Sequence, residues 1–149
     1  MEIALIADET KKELMTQFCI AYSGILGRHN LCATLITGQC VADATGLDIE
    51  YMLPGDVGGV EQIASRIAYN EIDMLLYFRD SSRENNPWQE SERHLLRECD
   101  INNVPVATNI ATAEVLVLAL ERGSLDWREI VNPRSAYNLK LKVTAKRKI

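Results

Sequence analysis

Short apolar runs alternate with helix-length amphipathic segments from one end of the chain to the other. The runs cover residues 2–7, 31–37, 51–53, 72–78 and 104–108, and the third is the weakest. Strands that are apolar throughout are typical of parallel sheets, which helices cover on both faces. The alternation therefore predicts an α/β fold: a single doubly wound domain with a mostly parallel five-stranded sheet.

Four of the intervening segments have the three- and four-residue spacing of amphipathic helices. They cover residues 11–27, 58–70, 90–102 and 111–123. The predicted inward faces are Leu14, Phe18, Ala21 and Ile25 in the first helix and Val60, Ile63, Ile67 and Ala68 in the second. Gly123 is predicted to end the last helix, because a left-handed residue after a helix is most often glycine.

Length and composition favour one compact domain over residues 1–149. The chain has 149 residues, 47% of them hydrophobic, which is enough for a substantial core. No signal peptide or membrane-spanning segment is expected. The four cysteines are scattered, so we expect reduced thiols and a cytoplasmic protein. Only His29 and His94 could join a metal site and neither has ligand spacing, so we expect no metal and no cofactor.

Charge is unevenly distributed. Residues 134–149 contain six basic and no acidic residues, whereas all 21 acidic residues lie before them. Such a tail could bind nucleic acid or another acidic surface. Alternatively, the alternating "LKLKV" at 139–143 could form an edge strand guarded by lysines. We favour the edge strand over nucleic acid, because no aromatic residues interleave the tail's charges.

Polar and glycine residues follow every predicted strand. In an open parallel sheet, ligands bind at the carboxyl ends of the strands, near the point where the strand order reverses. Backbone N–H groups at a helix N-terminus and a nearby cation suit an anion. The candidate ligands are Lys12, Thr37, Gly38, Gly55, Gly58, Gly59 and Asn109, and the candidate carboxylates are Asp8 and Asp80. These residues predict a site for a small anion.

Several of these residues have a purely structural alternative. Thr108, Asn109 and Thr112 could cap the last helix, and Gly58 and Gly59 could form a turn and nothing more. Lys12 could be a solvated helix residue, and His94 a surface or interface residue. Trp88 could be a lid, an oligomer contact or a stacking surface for a ligand. The sequence leaves these alternatives open.

Four blocks of the sequence resemble the methylglyoxal synthase family. They are "IALIADETKK", "ATGLDIEYMLPGDVGGVEQ", "IDMLLYFRD" and "NNVPVATNIATAE", at residues 3–12, 44–62, 72–80 and 102–114. The resemblance implies a methylglyoxal synthase-like fold and a homohexamer. It also implies conversion of dihydroxyacetone phosphate to methylglyoxal and phosphate, in which a carboxylate removes a carbon-bound proton and phosphate is then eliminated. The same domain occurs in carbamoyl-phosphate synthetase, where it binds a regulator without chemistry.

The resemblance assigns roles to several positions. Lys12, Gly55, Asp80, Asn109 and Thr112 match family residues. The family's phosphate loop reads Thr-Gly-Thr-Thr-Gly, and we align it with "TGQCV", so that Gln39 and Cys40 join Thr37 and Gly38 as candidate phosphate ligands.

Other positions depart from the family pattern. Val60 stands at the position of the family's catalytic aspartate, and Asp8 at that of its polarising histidine. Pro54 replaces the serine of the third loop, while Trp88 and Ser91 replace a histidine and an aspartate. Removal of a general base alone typically lowers the rate by about 10²–10⁴-fold.

The leading hypothesis is therefore a methylglyoxal synthase-like protein that lacks the parent reaction. It would bind a small anionic phosphometabolite or a nucleotide and act in sensing or sequestration. One alternative is an active methylglyoxal synthase, in which Asp8, Asp56 or Asp80 supplies the base. Another is a lyase or isomerase that acts on a different substrate through Asp8 and Asp80. In each case we expect a homo-oligomer.

Overall fold

A computed structural model describes residues 1–82 and 89–148 of the chain. It contains five strands: β1 (Glu2–Ala7), β2 (Asn30–Ala33), β3 (Ile49–Tyr51), β4 (Met74–Phe78) and β5 (Val106–Ala107). They form one sheet in the order β3-β2-β1-β4-β5, and every pair of neighbours is parallel. The predicted α/β fold with five parallel strands is confirmed. The strand order reverses between β1 and β4, which lie side by side with Ala7 opposite Phe78.

Eight helices accompany the sheet in the described part of the chain. They are α1 (Lys12–Ala21), α2 (Ser23–Leu26), α3 (Leu35–Thr45), α4 (Gly59–Ala68), α5 (Gln89–Ile101), α6 (Ile110–Glu121), α7 (Arg128–Val131) and α8 (Ala136–Arg147). Short 3-10 turns precede α1 at Glu9–Lys11 and α4 at Gly55–Val57. Gly123 follows α6 with a φ of +80°, in agreement with the predicted helix end. No described helix has both the length and the apolar character needed to cross a membrane.

The sheet has a separate apolar core on each face. Side chains alternate along β1, so that Ile3 and Leu5 pack on one face and Ala4 and Ile6 on the other. The first core includes residues from α1, α2, α3 and α6. The second core includes residues from α4 and α5. Helices on both faces make the sheet doubly wound, as predicted.

The second strand is shorter than predicted. It ends at Ala33, and residues 35–37 belong to α3 rather than to the strand. Thr37 and Val41 are buried four residues apart on this helix, and Gly46 follows its last residue. Helical spacing and a glycine at the end of the helix outweigh the strand propensity of "LCATLIT". The segment that follows β2 therefore starts at Thr34 and not after Thr37.

The inward faces of α1 and α4 also differ from the prediction. On α1, Met15, Phe18 and Cys19 are buried, while Leu14 and Ala21 are exposed. The helix ends at Ala21 and does not continue to residue 27. On α4, Val60, Ile63 and Ile67 are buried as predicted, but Ala64 replaces Ala68 on the inward face. The four cysteines are unpaired thiols, and burial raises the pKa of Cys19, Cys32 and Cys99 to about 12.

The C-terminal segment is helical, so the predicted edge strand at 139–143 is wrong. Ser135 begins α8 as its N-cap, and its side chain accepts a hydrogen bond from the backbone N–H of Asn138 at 3.1 Å. No strand of the described sheet pairs with the segment. Without a neighbouring strand to satisfy its backbone, the capped helix is the form that bonds its own N–H and C=O groups.

A buried arginine attaches α7 to the amino end of the sheet. Arg128 is fully buried, and its Nε lies 3.2 Å from Oδ1 of Asp73. Its other nitrogens donate to the backbone oxygens of Ile72 and Asn102. The second carboxylate oxygen of Asp73 accepts from Asn132 and from the backbone N–H of Glu2. Both charges are therefore fully compensated inside the protein.

Candidate functional site

A cavity of about 290 Å³ opens at the carboxyl ends of the central strands. Its walls come from the ends of β1 and β4, the start of α3, the 3-10 turn before α4, and the first turn of α5. The polar lining residues are Asp8, Glu9, Lys12, Thr34, Thr37, Asp56, Tyr77, Ser91 and Glu92. This is the reversal point of the strand order, where an open parallel sheet binds its ligands.

Lys12 supplies the ammonium group of the cavity. Its Nζ donates to the backbone oxygen of Ala7 at 3.0 Å and pairs with Oε2 of Glu9 at 3.3 Å. The side chain is only 19% exposed, whereas that of Glu9 is 75% exposed. Lys12 is therefore held in the cavity wall and is not a solvated helix residue.

Two buried threonines lie beside Lys12. Thr34 donates from Oγ1 to Oγ1 of Thr37 at 3.3 Å, and Thr37 accepts from the backbone N–H of Ala7 at the same distance. Thr37 was among the predicted site residues and Thr34 was not, because residues 31–37 were predicted to form a strand. Because β2 ends at Ala33 and α3 begins at Leu35, Thr34 lies between them and Thr37 lies in the first turn of the helix. A threonine directly after a short buried strand was the signal that could have identified Thr34.

Gln39 and Cys40 do not line the cavity. Both lie in α3, where Gln39 is exposed and Cys40 half-buried. Their assignment as phosphate ligands followed from starting the loop at Thr37, three residues too late. Gly38 is also absent from the lining, and a Cβ there would lie 2.7 Å from the ring of Tyr51. Gly38 therefore lets α3 pack closely on the sheet.

The glycines between β3 and α4 have different structural roles. Gly55 lines the cavity together with Pro54 and Asp56. Gly58 has a φ of +97°, and a Cβ on Gly59 would lie 2.0 Å from the backbone oxygen of Leu53. Neither Gly58 nor Gly59 lines the cavity, so the tight turn explains both. Val60, the next residue, presents an apolar side chain to the cavity and is 8% exposed.

Asp8, Tyr77 and Glu92 form a hydrogen-bonded cluster in the cavity wall. The Tyr77 hydroxyl lies 3.4 Å from Oδ1 of Asp8 and 3.3 Å from Oε2 of Glu92. Arg79 pairs with Oε1 of Glu92 at 2.7 Å, and the backbone N–H of Asp80 donates to Oδ2 of Asp8 at 2.6 Å. Burial, followed by the Asp8 and Glu92 charges, raises the pKa of Tyr77, which keeps its proton at neutral pH. Sequence reasoning missed Tyr77 and Glu92, because one lies inside an apolar strand and the other inside a charged helix.

Asp80 lies outside the cavity lining. Its carboxylate accepts hydrogen bonds from the Thr10 hydroxyl at 2.6 Å and from the Ser82 backbone N–H at 3.1 Å. The bonds from Ser82 and Thr10 lower its pKa to about 2. Asp80 thus joins the turn after β4 to the 3-10 turn after β1. A carboxylate this acidic is a weak base, so the geometry does not support a catalytic pair of Asp8 and Asp80.

The remaining candidates are placed as follows. Asn109 is the N-cap of α6, and its Oδ1 accepts from the backbone N–H of Thr112 at 3.1 Å, which supports the capping alternative. His94 is exposed on α5. Ser91 lines the cavity and donates to Glu61 at 2.6 Å. The hypotheses for Trp88 concern a residue outside the described ranges.

Negative charge dominates the cavity. Its described lining contains four carboxylates, from Asp8, Glu9, Asp56 and Glu92, against the single ammonium of Lys12. Two of them have cationic partners, since Glu9 pairs with Lys12 and Glu92 with Arg79. Across residues 1–82 and 89–148, no group of three or more His, Cys, Asp and Glu side chains is arranged to hold a metal ion. The described lining therefore combines one ammonium and two threonine hydroxyls with a larger number of carboxylates.

The fold and the cavity define a doubly wound α/β protein with an open cavity at its strand-order reversal. No family model matches the chain. Over 138 residues it is 54% identical to a methylglyoxal synthase of Caldicellulosiruptor saccharolyticus, which covers 93% of this chain and 97% of the relative. It is 50% identical to a methylglyoxal synthase of a Thermoanaerobacter species over 130 residues, 87% of this chain and 98% of the relative.

A solved structure has the same fold. The crystal structure of methylglyoxal synthase from Elizabethkingia anophelis matches with a TM-score of 0.69 at 31% identity, covering 78% of this chain and 76% of that one. The chain belongs to the methylglyoxal synthase family, as its resemblance to the family indicated.

Proposed function

We propose that the chain is a lyase of the methylglyoxal synthase type, acting on dihydroxyacetone phosphate in the cavity at the strand ends. One observation carries this proposal: Lys12, Thr34 and Thr37 surround that cavity in a chain whose relatives at 50–54% identity are named methylglyoxal synthase. The sequence favoured a different hypothesis, a protein without the parent reaction, because Val60 stands at the position of the catalytic aspartate. The 50–54% identity to named methylglyoxal synthases favours the active enzyme instead.

The phosphate group binds at the wall formed by Lys12 and the two threonines. Lys12 is held by the backbone oxygen of Ala7 and has two further N–H protons, one directed at the exposed Glu9. A phosphate oxygen can displace Glu9 from this exposed pair at little cost. The hydroxyls of Thr34 and Thr37 and the backbone of Gly55 are further polar groups at the same wall.

Asp8 is the proposed general base. Glu9 and Glu92 are paired with cations, and Asp80 lies outside the cavity. Of the two remaining lining carboxylates, Asp8 ends β1 next to Lys12 and is oriented by the Asp80 N–H and the Tyr77 hydroxyl. Asp56 is exposed, and none of the described hydrogen bonds or ion pairs involves it.

The chemistry then proceeds in three steps. A carboxylate oxygen of Asp8 takes a proton from the hydroxymethyl carbon, the C–H electrons form a carbon–carbon double bond, and the carbonyl π electrons move to oxygen, which gives an enediolate. The electrons of the enediolate next expel phosphate by breaking the C–O bond of the other carbon. The enol that remains takes up a proton on its terminal carbon and becomes methylglyoxal. Lys12 is the cationic group that stabilises the negative charge on the leaving phosphate.

A second candidate function is binding without turnover. Val60 favours it, because this apolar side chain faces the cavity at the position where the resemblance implies the base. The protein would then hold a small phosphometabolite or nucleotide for sensing or sequestration. In both proposals the protein is a homo-oligomer located in the cytoplasm.

The decisive experiment measures methylglyoxal and phosphate release from dihydroxyacetone phosphate. We expect turnover by the unmodified chain, and a loss of about 10²–10⁴-fold in kcat for Asp8→Asn. Asp56→Asn is the matched control, because it removes a lining carboxylate while leaving the proposed base in place. An equal loss in Asp56→Asn would move the base to Asp56.

Absence of turnover at high enzyme concentration would overturn the lyase proposal. In that case a rise in melting temperature on addition of a phosphometabolite would support the binding function, because a ligand of the native state stabilises it. Val60→Asp supplies a further comparison. Turnover in Val60→Asp but not in the unmodified chain would show that the missing base alone separates the two functions.

A further inference from the structure

A single phenol hydroxyl lies between two carboxylates in the wall of the cavity. The hydroxyl of Tyr77 is 3.4 Å from Oδ1 of Asp8 and 3.3 Å from Oε2 of Glu92. A phenol has one proton, so it can donate to only one of these oxygens at a time. Both distances exceed the length of about 2.7–2.8 Å that is typical of an O–H···O hydrogen bond. Neither contact is therefore a strong hydrogen bond, and the proton is available to a third oxygen.

Both carboxylates are held by other partners as well. Oε1 of Glu92 pairs with Arg79 at 2.7 Å, on the side away from the Tyr77 hydroxyl. Oδ2 of Asp8 accepts from the backbone N–H of Asp80 at 2.6 Å. Hydrogen bonds to ionised groups are the short and strong ones. Each carboxylate thus keeps a short hydrogen bond or ion pair when the phenol hydroxyl turns towards a ligand.

The proposed reaction moves a negative charge past this hydroxyl. Before the first step the charge is on Asp8, and after it Asp8 is a neutral carboxylic acid while the charge is on the enediolate. The carbon that loses its proton carries one enediolate oxygen and is bonded to the carbon that carries the other. A donor in contact with the base therefore lies near both oxygens. Because a hydrogen bond to an ionised oxygen is about twice as strong as a neutral one, the hydroxyl follows the charge.

The other side-chain donors of the described lining are directed to other groups. Lys12 and the two threonines belong to the proposed phosphate wall, and Ser91 donates to Glu61 at 2.6 Å. The described lining contains no imidazole. Within that lining, Tyr77 is the side-chain donor that contacts Asp8. It is therefore the donor best placed for an oxygen at the reacting carbon.

The surroundings of Tyr77 keep its proton in place. The residue lies in β4 and is 3% exposed. Burial and the two neighbouring carboxylates raise the pKa of the phenol. A protonated phenol donates a hydrogen bond, whereas a phenolate would place a further negative charge beside the enediolate and oppose its formation.

We propose that Tyr77 is a further catalytic residue, whose hydroxyl donates a hydrogen bond to an enediolate oxygen as Asp8 takes the proton from carbon. This inference rests on the proposed lyase reaction and deepens it. No covalent bond to Tyr77 forms or breaks. Donors aimed at the place where charge develops stabilise a transition state. Tyr77 does so at the reacting carbon, and Lys12 does so at the leaving phosphate.

Steady-state kinetics of Tyr77→Phe with dihydroxyacetone phosphate test the proposal. We expect kcat to fall by about 10²–10³-fold, the usual effect of removing one such donor. KM should change little, because the hydrogen bond strengthens only as the charge develops. Tyr22→Phe is the matched control, because it removes another phenol hydroxyl next to a carboxylate, that of Glu114, outside the cavity lining. Thermal melting checks that both variants are folded.

A binding measurement separates contact with the substrate from orientation of the base. Phosphoglycolohydroxamate holds two neighbouring oxygens in one plane, as the enediolate does, and calorimetry measures its affinity without turnover. We expect Tyr77→Phe to weaken its binding by roughly tenfold and to leave the affinity for inorganic phosphate unchanged. A loss of kcat with full affinity for the hydroxamate would show that Tyr77 only orients Asp8, and would overturn the proposed contact.

Failure of this inference is distinguishable from failure of the proposed function. Absence of turnover in the unmodified chain would overturn both. Turnover in the unmodified chain with an equal kcat in Tyr77→Phe would overturn the role of Tyr77 alone. If that variant also melted at a lower temperature, the hydroxyl would serve only to tie β4 to α5.

Discussion

The two ends of the sheet use charged side chains in opposite ways. At the amino end, Arg128 and Asp73 are both buried, and every described polar atom of the pair has a partner inside the protein. At the carboxyl end, the described lining of an open cavity contains four carboxylates and one ammonium, and the Glu9 side chain that pairs with Lys12 is 75% exposed. A buried network in which every charge has a partner stabilises the fold. Charged groups in an open cavity with an excess of carboxylates can instead interact with a ligand. Substitutions at the two ends should therefore have different readouts.

The largest expected effect on stability is at the amino end. Arg128→Ala leaves the Asp73 carboxylate buried without its cation, so we expect unfolding to become easier by about 3–5 kcal/mol. Urea denaturation measures the loss. Arg28→Ala is the matched control, because Arg28 pairs with Glu121 at 2.6 Å with both side chains largely exposed. An exposed pair is expected to contribute at most about 1 kcal/mol. Similar losses in both variants would contradict the contrast between buried and exposed charge.

The matching change at the carboxyl end should affect binding and leave the fold intact. Lys12→Met removes the ammonium of the cavity, and a hydrogen bond to a charged group contributes about 1.5–3 kcal/mol. We therefore expect the affinity for inorganic phosphate or dihydroxyacetone phosphate to fall by roughly 10- to 150-fold, measured by isothermal titration calorimetry. Lys11→Met, one residue earlier and outside the cavity lining, serves as the control. Equal affinities in the two variants would exclude Lys12 from the phosphate wall.

A substitution in the turn before α4 is expected to affect both stability and ligand binding. A Cβ on residue 59 would lie 2.0 Å from a backbone oxygen, which cannot move without shifting the loop that carries Gly55 and Asp56. Gly59→Ala is expected to cost about 1–3 kcal/mol of stability and to weaken ligand binding as well. Gly24→Ala, where a Cβ meets open space, is the control. Denaturation and calorimetry on the same samples check both effects, and an undisturbed affinity would show that Gly59 does not shape the cavity.

The smallest expected effect concerns Asp80 and acid. Its pKa is lowered from 3.8 to about 2 by the hydrogen bonds from Ser82 and Thr10, so the folded state favours the charged form. This contribution to stability is complete above the unfolded pKa and is lost as the pH falls through the folded one. Between pH 4 and pH 2 the melting temperature of the unmodified chain should therefore approach that of Asp80→Asn. A constant difference across this range would contradict the assignment.

Much of the fold was predictable because its signals are local. The apolar runs of β1 and β4, the three- and four-residue spacing of α4 and the glycine after α6 each lie within a few residues of the structure they specify. The second strand and the C-terminal segment were predicted wrongly for the same reason. A short apolar run suggested a strand over all of 31–37, and alternation suggested one at 139–143. However, α3 packs Thr37 and Val41 on the sheet, and no strand of the described sheet pairs with α8.

The sequence alone specified the five strands, four of the eight described helices, the family of the protein and the end of the sheet at which the cavity lies. Only the tertiary structure decided which residues line that cavity. It brought Thr34, Tyr77 and Glu92 into the cavity, placed Gln39 and Cys40 in α3, and made Asn109 a helix cap. The physical reason is that local patterns specify elements through short-range hydrogen bonds and burial periodicity. A site, by contrast, depends on the direction of side chains from strands that are distant in sequence.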